Sequence, residues 1–478
     1  MAQTRQPLTQ ATMSAMKKPI LLVSVLLTAI ASLLLLGLRP QIGPAEDYAN
    51  YCAGCHGENL RSFIERDWVH GNSWGDVYRA IKSGYPDEGM PAFDTTFSER
   101  EISSLTDYIL KETESITLES FKKPAGIGGI ISGAEFDFRL DTIVGGEGLD
   151  IPWGLGFLPD GDLLITERSG DFYRYDDQNG LQGISGVPEV RASGQGGLLD
   201  VVVHPDFEEN HYIYVSFSKP DGLNGTTAVM RGRLEGTQLM DTAIIFKAEP
   251  SVITRHHFGS RLVFDRDGYL YVTVGDRGRR DEHPQFLTNH CGKVHRIHDD
   301  GSIPADNPFV DTQGAVGSIW SYGHRNPQGL ALHPITGEIW ENEHGPRGGD
   351  EINHIQKGNN YGWPEITYGI NYTGTVITTE THMEGMEQPV TYWVPSIAAC
   401  GMAIVGEGVY PGWEGDIFSG SLRFGYLHRT IMEGNEVQGE EKLLKGLGRL
   451  REVEVGPDGY LYVTKEDPGY VLRLVPLL

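Results

Sequence analysis

Asp267-Gly268-Tyr269-Leu270-Tyr271-Val272 and Pro457-Asp458-Gly459-Tyr460-Leu461-Tyr462-Val463 spell one phrase twice: a tight Asp/Gly turn, then an alternating apolar strand. The phrase returns as Pro159-Asp160-Gly161-Asp162-Leu163-Leu164-Ile165 and as His204-Pro205-Asp206 leading to Tyr212-Ile213-Tyr214-Val215. Two looser copies are His333-Pro334 leading to Glu338-Ile339-Trp340, and Trp413-Glu414-Gly415-Asp416-Ile417-Phe418. With Asp160, Asp206, Asp267, Thr336, Gly415 and Asp458 as markers, one hairpin recurs six times at irregular spacing. Such a pattern predicts a six-bladed β-propeller over residues 135–478, with the variable lengths taken up by loops on one face. Loops on a rigid scaffold are where binding and catalytic groups gather.

Composition agrees with a mainly β chain. Of 478 residues, 62 are glycine and 10% are aromatic. That many aromatics argues against disorder, and four cysteines are too few for a disulfide scaffold of this length. Lysine and arginine number 39 against 65 acids, a formal charge of −26. No nucleic-acid partner is expected, because such binding needs a basic face. The start of the chain is different. Residues 1–45 hold Arg5, Lys17, Lys18 and Arg39 and no acid, and residues 19–38 carry no charge. As a helix that stretch would be about 30 Å long, the depth of a bilayer core. Residues 1–40 are therefore expected to be a signal anchor, with Lys17 and Lys18 keeping that end cytoplasmic and the rest on the periplasmic side of the inner membrane. A cleaved signal peptide is the rival reading, with Gly43-Pro44-Ala45 as a poor cleavage site.

Residues 41–114 read as a small all-α unit. Cys52-Ala53-Gly54-Cys55-His56 has the C-x-x-C-H spacing of covalent haem c attachment: Cys52 and Cys55 would take the vinyl groups and His56 the iron. Methionine is the usual sixth ligand in electron transfer, and Met90 lies in an irregular stretch between two expected helices, with His70 as the alternative. That stretch resembles the distal loop of small class I cytochromes c. Ser98 begins a helix with acids in its first turn and Ile102, Leu105, Tyr108 and Ile109 at helical spacing. A thioredoxin-like pair or half a zinc site would not require the following histidine, and no second C-x-x-C is present. Residues 115–134, with Lys122-Lys123-Pro124 and Gly126, Gly128 and Gly129, read as a linker.

In the propeller, chemistry-bearing residues cluster next to strands. Gly194-Gln195-Gly196-Gly197 is the first such stretch, and His256-His257-Phe258-Gly259-Ser260-Arg261, followed by Gly275-Asp276-Arg277, the second. Gly323-His324-Arg325-Asn326-Pro327-Gln328-Gly329-Leu330 is the third. Glu343-His344-Gly345-Pro346-Arg347-Gly348-Gly349-Asp350-Glu351-Ile352-Asn353, with Asn360-Tyr361-Gly362-Trp363-Pro364 after it, is the fourth. Arg325, Arg423, Arg449 and Arg451 come from different blades of an acidic chain. Converging over the channel, they would suit a multiply anionic ligand through bidentate pairing. Cys291 and Cys400 read as buried thiols.

The third and fourth stretches closely resemble the soluble PQQ-dependent glucose and aldose sugar dehydrogenases, from about residue 150 to 475 and in order. The resemblance implies a six-bladed propeller that binds pyrroloquinoline quinone (PQQ) and calcium and oxidises a sugar or related alcohol. By position, His257 matches the general base and Asp276 the acid that orients it. Gln195, Arg325 and Asn326 match residues around cofactor and substrate, and Arg423, Arg449 and Arg451 match cationic contacts to PQQ. The resemblance implies an aromatic wall on the quinone, for which Trp393 is the candidate. The carbonyls of Gly345 and Pro346 match ligands of the calcium beside the quinone, and Glu351 with the Tyr361 carbonyl a second calcium site. Two departures stand out: His256 occupies a position that is Asp in the glucose-oxidising members, and Arg423 one that is Lys. The expectation is a quinohaemoprotein dehydrogenase that passes electrons through haem c to a soluble cytochrome, cupredoxin or oxidase. A calcium-dependent lactonase or a glycan- or protein-binding propeller are the alternatives, and neither explains the arginine set or the C-x-x-C-H.

Overall fold

The computed structural model describes residues 43–56, 60, 63, 68–86, 90–115, 127–146 and 148–478. Among them, six antiparallel sheets follow one another along the chain, five of four strands and one of five. Blade 1 runs from Pro152 to Gly183, blade 2 from Leu198 to Lys247 and blade 3 from Leu262 to Tyr322. Blade 4 runs from Pro327 to Trp393 and blade 5 from Ala399 to Leu443. Blade 6 combines strands Leu450–Val455, Leu461–Lys465 and Tyr470–Leu477 with Asp137–Gly145 from the other end of the chain. The register there pairs Asp137 with Leu477 and Gly145 with Tyr470, so the first propeller strand closes the ring.

All six repeated phrases occupy the same place, the turn between the first and second strands of a blade. The reason is local. Asp265 Oδ1 accepts from the Asp267 N–H (3.0 Å) and Asp458 Oδ1 from the Tyr460 N–H (3.2 Å), an aspartate-held turn. Gly268 and Gly459 then sit at φ +81° and +80°, where a side chain is disfavoured. The second strands Leu163–Glu167, Leu270–Val274 and Leu461–Lys465 are buried throughout. The outermost strand of blade 5, Glu436–Leu443, alternates exposed and half-buried residues until Leu443.

On the axis Arg261 ties the ring together. Its guanidinium donates to the Asp200 carboxylate of blade 2 (3.3 Å), the Gln328 carbonyl of blade 4 (2.6 Å) and the Arg451 carbonyl of blade 6 (3.2 Å). It also pairs with Glu452 of blade 6 and lies 4.1 Å over the Trp153 ring of blade 1.

The N-terminal unit is a small helical bundle. Helices Pro44–Tyr51, Trp74–Ser83 and Glu99–Ser115 bury Tyr48, Val77, Ile81, Ile102, Leu105 and Ile109 with Phe93 and Phe97. Ser98 caps the last helix: Glu101 accepts from the Ser98 N–H at 2.7 Å, and Ser98 Oγ from the Glu101 N–H at 3.4 Å. The unit rests on the propeller. Thr96 Oγ1 donates to the Thr373 carbonyl (3.0 Å), and Arg423 Nη2 donates to the Ala49 carbonyl (3.0 Å). The Arg347 guanidinium lies 4.0 Å over the Tyr51 ring.

Two expectations change. Among the described residues no helix is long and apolar enough to cross a membrane. The longest, Glu99–Ser115, is 17 residues and carries Glu99, Arg100, Glu101, Asp107, Lys111 and Glu112, so it is a packing helix and not a spanning one. The spanning helix expected of residues 19–38 is corrected accordingly: that stretch lies outside the described residues. No helix among the described residues supports the anchor, the membrane partner or the anchored location, and none of the three is carried further. The linker is also shorter than expected, since strand Ile130–Ser132 already pairs with Asp137–Arg139 as the edge of blade 6.

Candidate functional site

Loops of blades 1–6 meet beneath the helical unit and enclose two adjoining cavities. One, about 510 Å³, is lined by Gln195, His256, His257, Asp276, Arg325 and Trp363, with Pro86 and Pro91 from the helical unit. The other, about 320 Å³, is lined by Arg325, Arg423, Arg449 and Arg451 on the propeller side and by Cys52, His56 and Met90 on the helical side. Gln195, His257 and Arg325 line both.

His257 is the hinge of the arrangement. Its Nδ1 lies 2.7 Å from Asp276 Oδ1, which leaves Nε2 as the ring's other nitrogen. Asp276 is fixed in turn: Trp363 Nε1 donates to Oδ2 at 2.8 Å and the Gly278 N–H to Oδ1 at 2.7 Å. The His257 backbone has φ +56°, and its N–H donates to Gln195 Oε1 at 2.7 Å, which holds this uncommon conformation. Gly275 is required beside it, since a Cβ there would meet the His257 carbonyl oxygen at 2.3 Å. The His257 side chain keeps 13% of its exposure while that of Asp276 keeps 1%, so a ligand can reach the imidazole and water barely reaches the carboxylate.

Charge follows geometry. Burial and the nearby Arg325 guanidinium lower the His257 pKa from its ordinary value, more than Asp276 raises it. Burial works to raise Asp276, but its interaction with His257, with Arg325 and the Trp363 N–H, holds it well below the carboxylate range. Burial, then His257, brings neighbouring His256 down to about 3, so it stays neutral. The pair is thus a neutral imidazole on a fixed carboxylate.

The arginines have a common anchor. Glu466 Oε2 accepts from Arg449 Nε and Oε1 from Arg451 Nε, each at 2.7 Å. Arg325 Nη1 donates to the carbonyls of His344 (2.9 Å) and Gly345 (2.7 Å), so one carbonyl expected to face a calcium ion is met by a guanidinium. Asn326 Oδ1 accepts from the Gly259 N–H at 3.2 Å and braces the loop that carries His257.

Behind this wall His324, Glu341 and Glu343 bring their ligand atoms within 4.8 Å of one another, a group that could hold a metal ion. All three are buried, and Glu341 Oε2 has no hydrogen-bond partner. Burial works to lower His324, but its hydrogen bonds to Glu341 and Glu343 push it up to about 9. Glu351 pairs in register with Glu343, and the Tyr361 ring stacks on His324 at 4.7 Å. The expected Glu351 and Tyr361 therefore border this cluster, while Glu341 and Glu343 are the acids at its centre.

Other expected residues have mixed fates. Cys52 is buried; Cys55 is placed on the short helix Ala53–His56 by its backbone alone. The His56 ring stacks on Phe63 at 4.6 Å, and Met90 is bridged to Tyr85. Cys291 and Cys400 are free and buried. Trp393 does not face either cavity: it packs among Ile352, Ile397 and Ala399 and donates to His428 at 3.2 Å. An aromatic ring that does line the site beside His257 is Trp363, with the Arg325 guanidinium 5.4 Å from its centre. Its signal was the Tyr361-Gly362-Trp363-Pro364 string. Glu466 had no such signal.

Comparison with known proteins places this geometry. Residues 149–473 match the model of the Glucose / Sorbosone dehydrogenase family, and residues 43–109 that of cytochrome c oxidase, cbb3-type, subunit III. The aldose sugar dehydrogenase YliI of Escherichia coli is 46% identical over 338 residues, 69% of this chain and 91% of that one. The crystal structure of the soluble aldose sugar dehydrogenase of Escherichia coli in its apo-form superposes with a TM-score of 0.68 at 42% identity, covering 71% of this chain and all of that one. The PQQ-bound aldose sugar dehydrogenase of Streptomyces coelicolor does so with 0.60 at 29% identity, covering 71% and 98%.

Proposed function

The chain belongs to the glucose/sorbosone dehydrogenase family, and on that premise we propose that it oxidises an aldose or related alcohol with PQQ as resident acceptor and a haem c as the electron outlet. It is an oxidoreductase acting on CH–OH groups. The observation that carries the reading is the His257–Asp276 pair set against a cavity walled by four arginines.

The donor set fits PQQ: a tricarboxylate quinone suits Arg325, Arg423, Arg449 and Arg451, with Glu466 holding two of them in place. When bound, PQQ supplies a two-electron acceptor for hydride. His257 Nε2 takes the substrate hydroxyl proton. Asp276 keeps the ring in the tautomer that leaves Nε2 free and offsets the charge the imidazole gains. Gln195 and Asn326 hold the loop that aims it. Pro346 would offer its carbonyl to a calcium ion beside the quinone, and Gly345 would do so only where Arg325 Nη1 releases its carbonyl to a bound ligand. A second calcium would take oxygens of Glu341, Glu343 and Glu351 near Tyr361, since calcium prefers oxygen donors, and would displace the proton that these carboxylates otherwise hold on His324. Cys52, Cys55, His56 and Met90 would hold a haem c, which supplies the one-electron exit that a two-electron oxidation requires, and a soluble cytochrome, cupredoxin or oxidase would drain it. Residues 41–114 would form the haem unit and the propeller the dehydrogenase.

The test uses the full chain carrying haem, loaded with PQQ and calcium. Reduced-haem absorption is followed while single sugars and alcohols are added. Bands that grow only with both PQQ and substrate are expected; a chain that does not bind PQQ would overturn the reading.

Two further outcomes are expected. Glu466→Ala frees Arg449 and Arg451 from their shared carboxylate, and PQQ affinity, read by quenching of tryptophan fluorescence, falls about tenfold or more. The acid limb of kcat/KM lies below pH 6.5, because His257 has a lowered pKa and stays unprotonated, and so a base, to lower pH than a free imidazole. A limb at or above pH 7 in a pH–rate profile would contradict this.

A further inference from the structure

We propose that the helical unit forms one wall of the substrate cavity and restricts the enzyme to single sugars, excluding oligosaccharides; this rests on the sugar-oxidising reading above. The cavity beside His257 is not made by the propeller alone. Pro86 and Pro91 of the helical unit line it together with Asp276, Trp363, Tyr372 and Arg280 of the propeller. The family match begins at residue 149, so this wall is an addition outside the family's part of the chain. Its two prolines are fixed locally. Proline fixes φ, and the residues preceding each proline pair with one another, the Tyr85 N–H donating to the Met90 carbonyl (2.8 Å) and the Met90 N–H to the Tyr85 carbonyl (3.1 Å). Helix Trp74–Ser83 braces it from behind: a Cβ on Gly84 would meet the Pro91 carbonyl carbon at 2.4 Å.

The wall is held down at three points around the cavities. Arg347 lies over Tyr51, Thr96 Oγ1 bonds the Thr373 carbonyl and Arg423 bonds the Ala49 carbonyl. Thr373 follows Tyr372 directly, so the contact that docks the unit also ties down the segment carrying Tyr372, which lines both cavities together with Pro91. A hydroxyl reaching His257 Nε2 must belong to a ligand that fits under this roof. Further sugar residues on the same chain would have to fit between the roof and the propeller loops. Tyr372 and Pro91 are therefore specificity-determining residues.

The experiment compares glucose, maltose and maltotriose with the full holoenzyme, using a small dye acceptor so that transfer to haem does not limit the rate. kcat/KM is expected to fall at least tenfold from glucose to maltotriose. Tyr372→Ala, and separately Thr96→Val with Arg347→Gln, raise the maltotriose-to-glucose ratio at least fivefold, chiefly through KM. Calorimetry on PQQ-loaded His257→Ala reads binding without turnover, and glucose binds where maltotriose does not. Maltotriose bound and oxidised as well as glucose overturns the wall and leaves the sugar-oxidising function standing. No sugar bound or oxidised overturns both.

Discussion

His257→Ala lowers kcat by about two to four orders of magnitude, the range that a positioned general base supplies, while PQQ binding and the haem spectrum persist. The expectation rests on three features of the site. The imidazole is tied through Nδ1 to a carboxylate that two other donors hold in place. Burial and Arg325 lower its pKa, so it is ready to accept a proton near neutral pH. It alone of the two adjacent histidines lines both cavities. Single-turnover reduction of bound PQQ, followed by absorbance, separates this loss from any change in haem reduction. Asp276→Asn keeps the shape and removes the charge, and should lose a smaller part of kcat. Turnover within tenfold of the parent in His257→Ala would place the base elsewhere.

Arg261→Leu is expected to destabilise the propeller by about 3–5 kcal/mol, the cost of leaving buried charge without its partner. Asp200 and Glu452 contact the guanidinium directly. Burial pushes Glu452 up to about 8 even with Arg261 opposing, and lifts Asp200 and Glu454 as well. Without the cation these carboxyls bind protons more tightly folded than unfolded. By linkage, stability then falls as pH rises from the unfolded carboxylate range through the raised folded values. The deficit should be smaller at pH 5 than at pH 8, read as the urea midpoint of tryptophan fluorescence. An unchanged midpoint at pH 8 would mean that packing, not the ion cluster, holds the axis.

What the sequence revealed divides by range. The six turns between first and second strands were legible because a side chain that accepts from the turn's own N–H groups is written within five residues, an aspartate at Asp265 to Tyr269 and a histidine at His204 and His333. The place of Asp137–Gly145 in blade 6 was not, since its partner lies at the far end of the chain. The same holds at the site. His257, Asp276, Gln195 and Arg325 sat in quoted strings, and the fold brings them to one cavity wall. Trp393 was the candidate for the aromatic wall, yet strand pairing with Asp350 turns it into the core between blades. Glu466 stands in Lys465-Glu466-Asp467-Pro468, which reads as an exposed polar turn. It is buried only because Arg449 and Arg451 reach it from the neighbouring strand.

The ring closure has a consequence in time. Asp137–Gly145 leaves the ribosome long before Tyr470–Leu477 exists, so the first strand of the propeller waits without its native neighbour while five blades are made. Pairing across that sequence distance carries a large loop-closure cost and belongs to the end of folding. Until then the strand is an open edge, able to recruit a wrong partner. The short strand Ile130–Ser132 pairs with its Asp137–Arg139 end from the outset and covers part of one edge. The helical unit, built from local contacts just upstream, can finish before the ring does. Its final seat on the loops of blades 4 and 5 exists only once synthesis has reached them, so assembly of the roofed cavity is the last event in the life of the nascent chain.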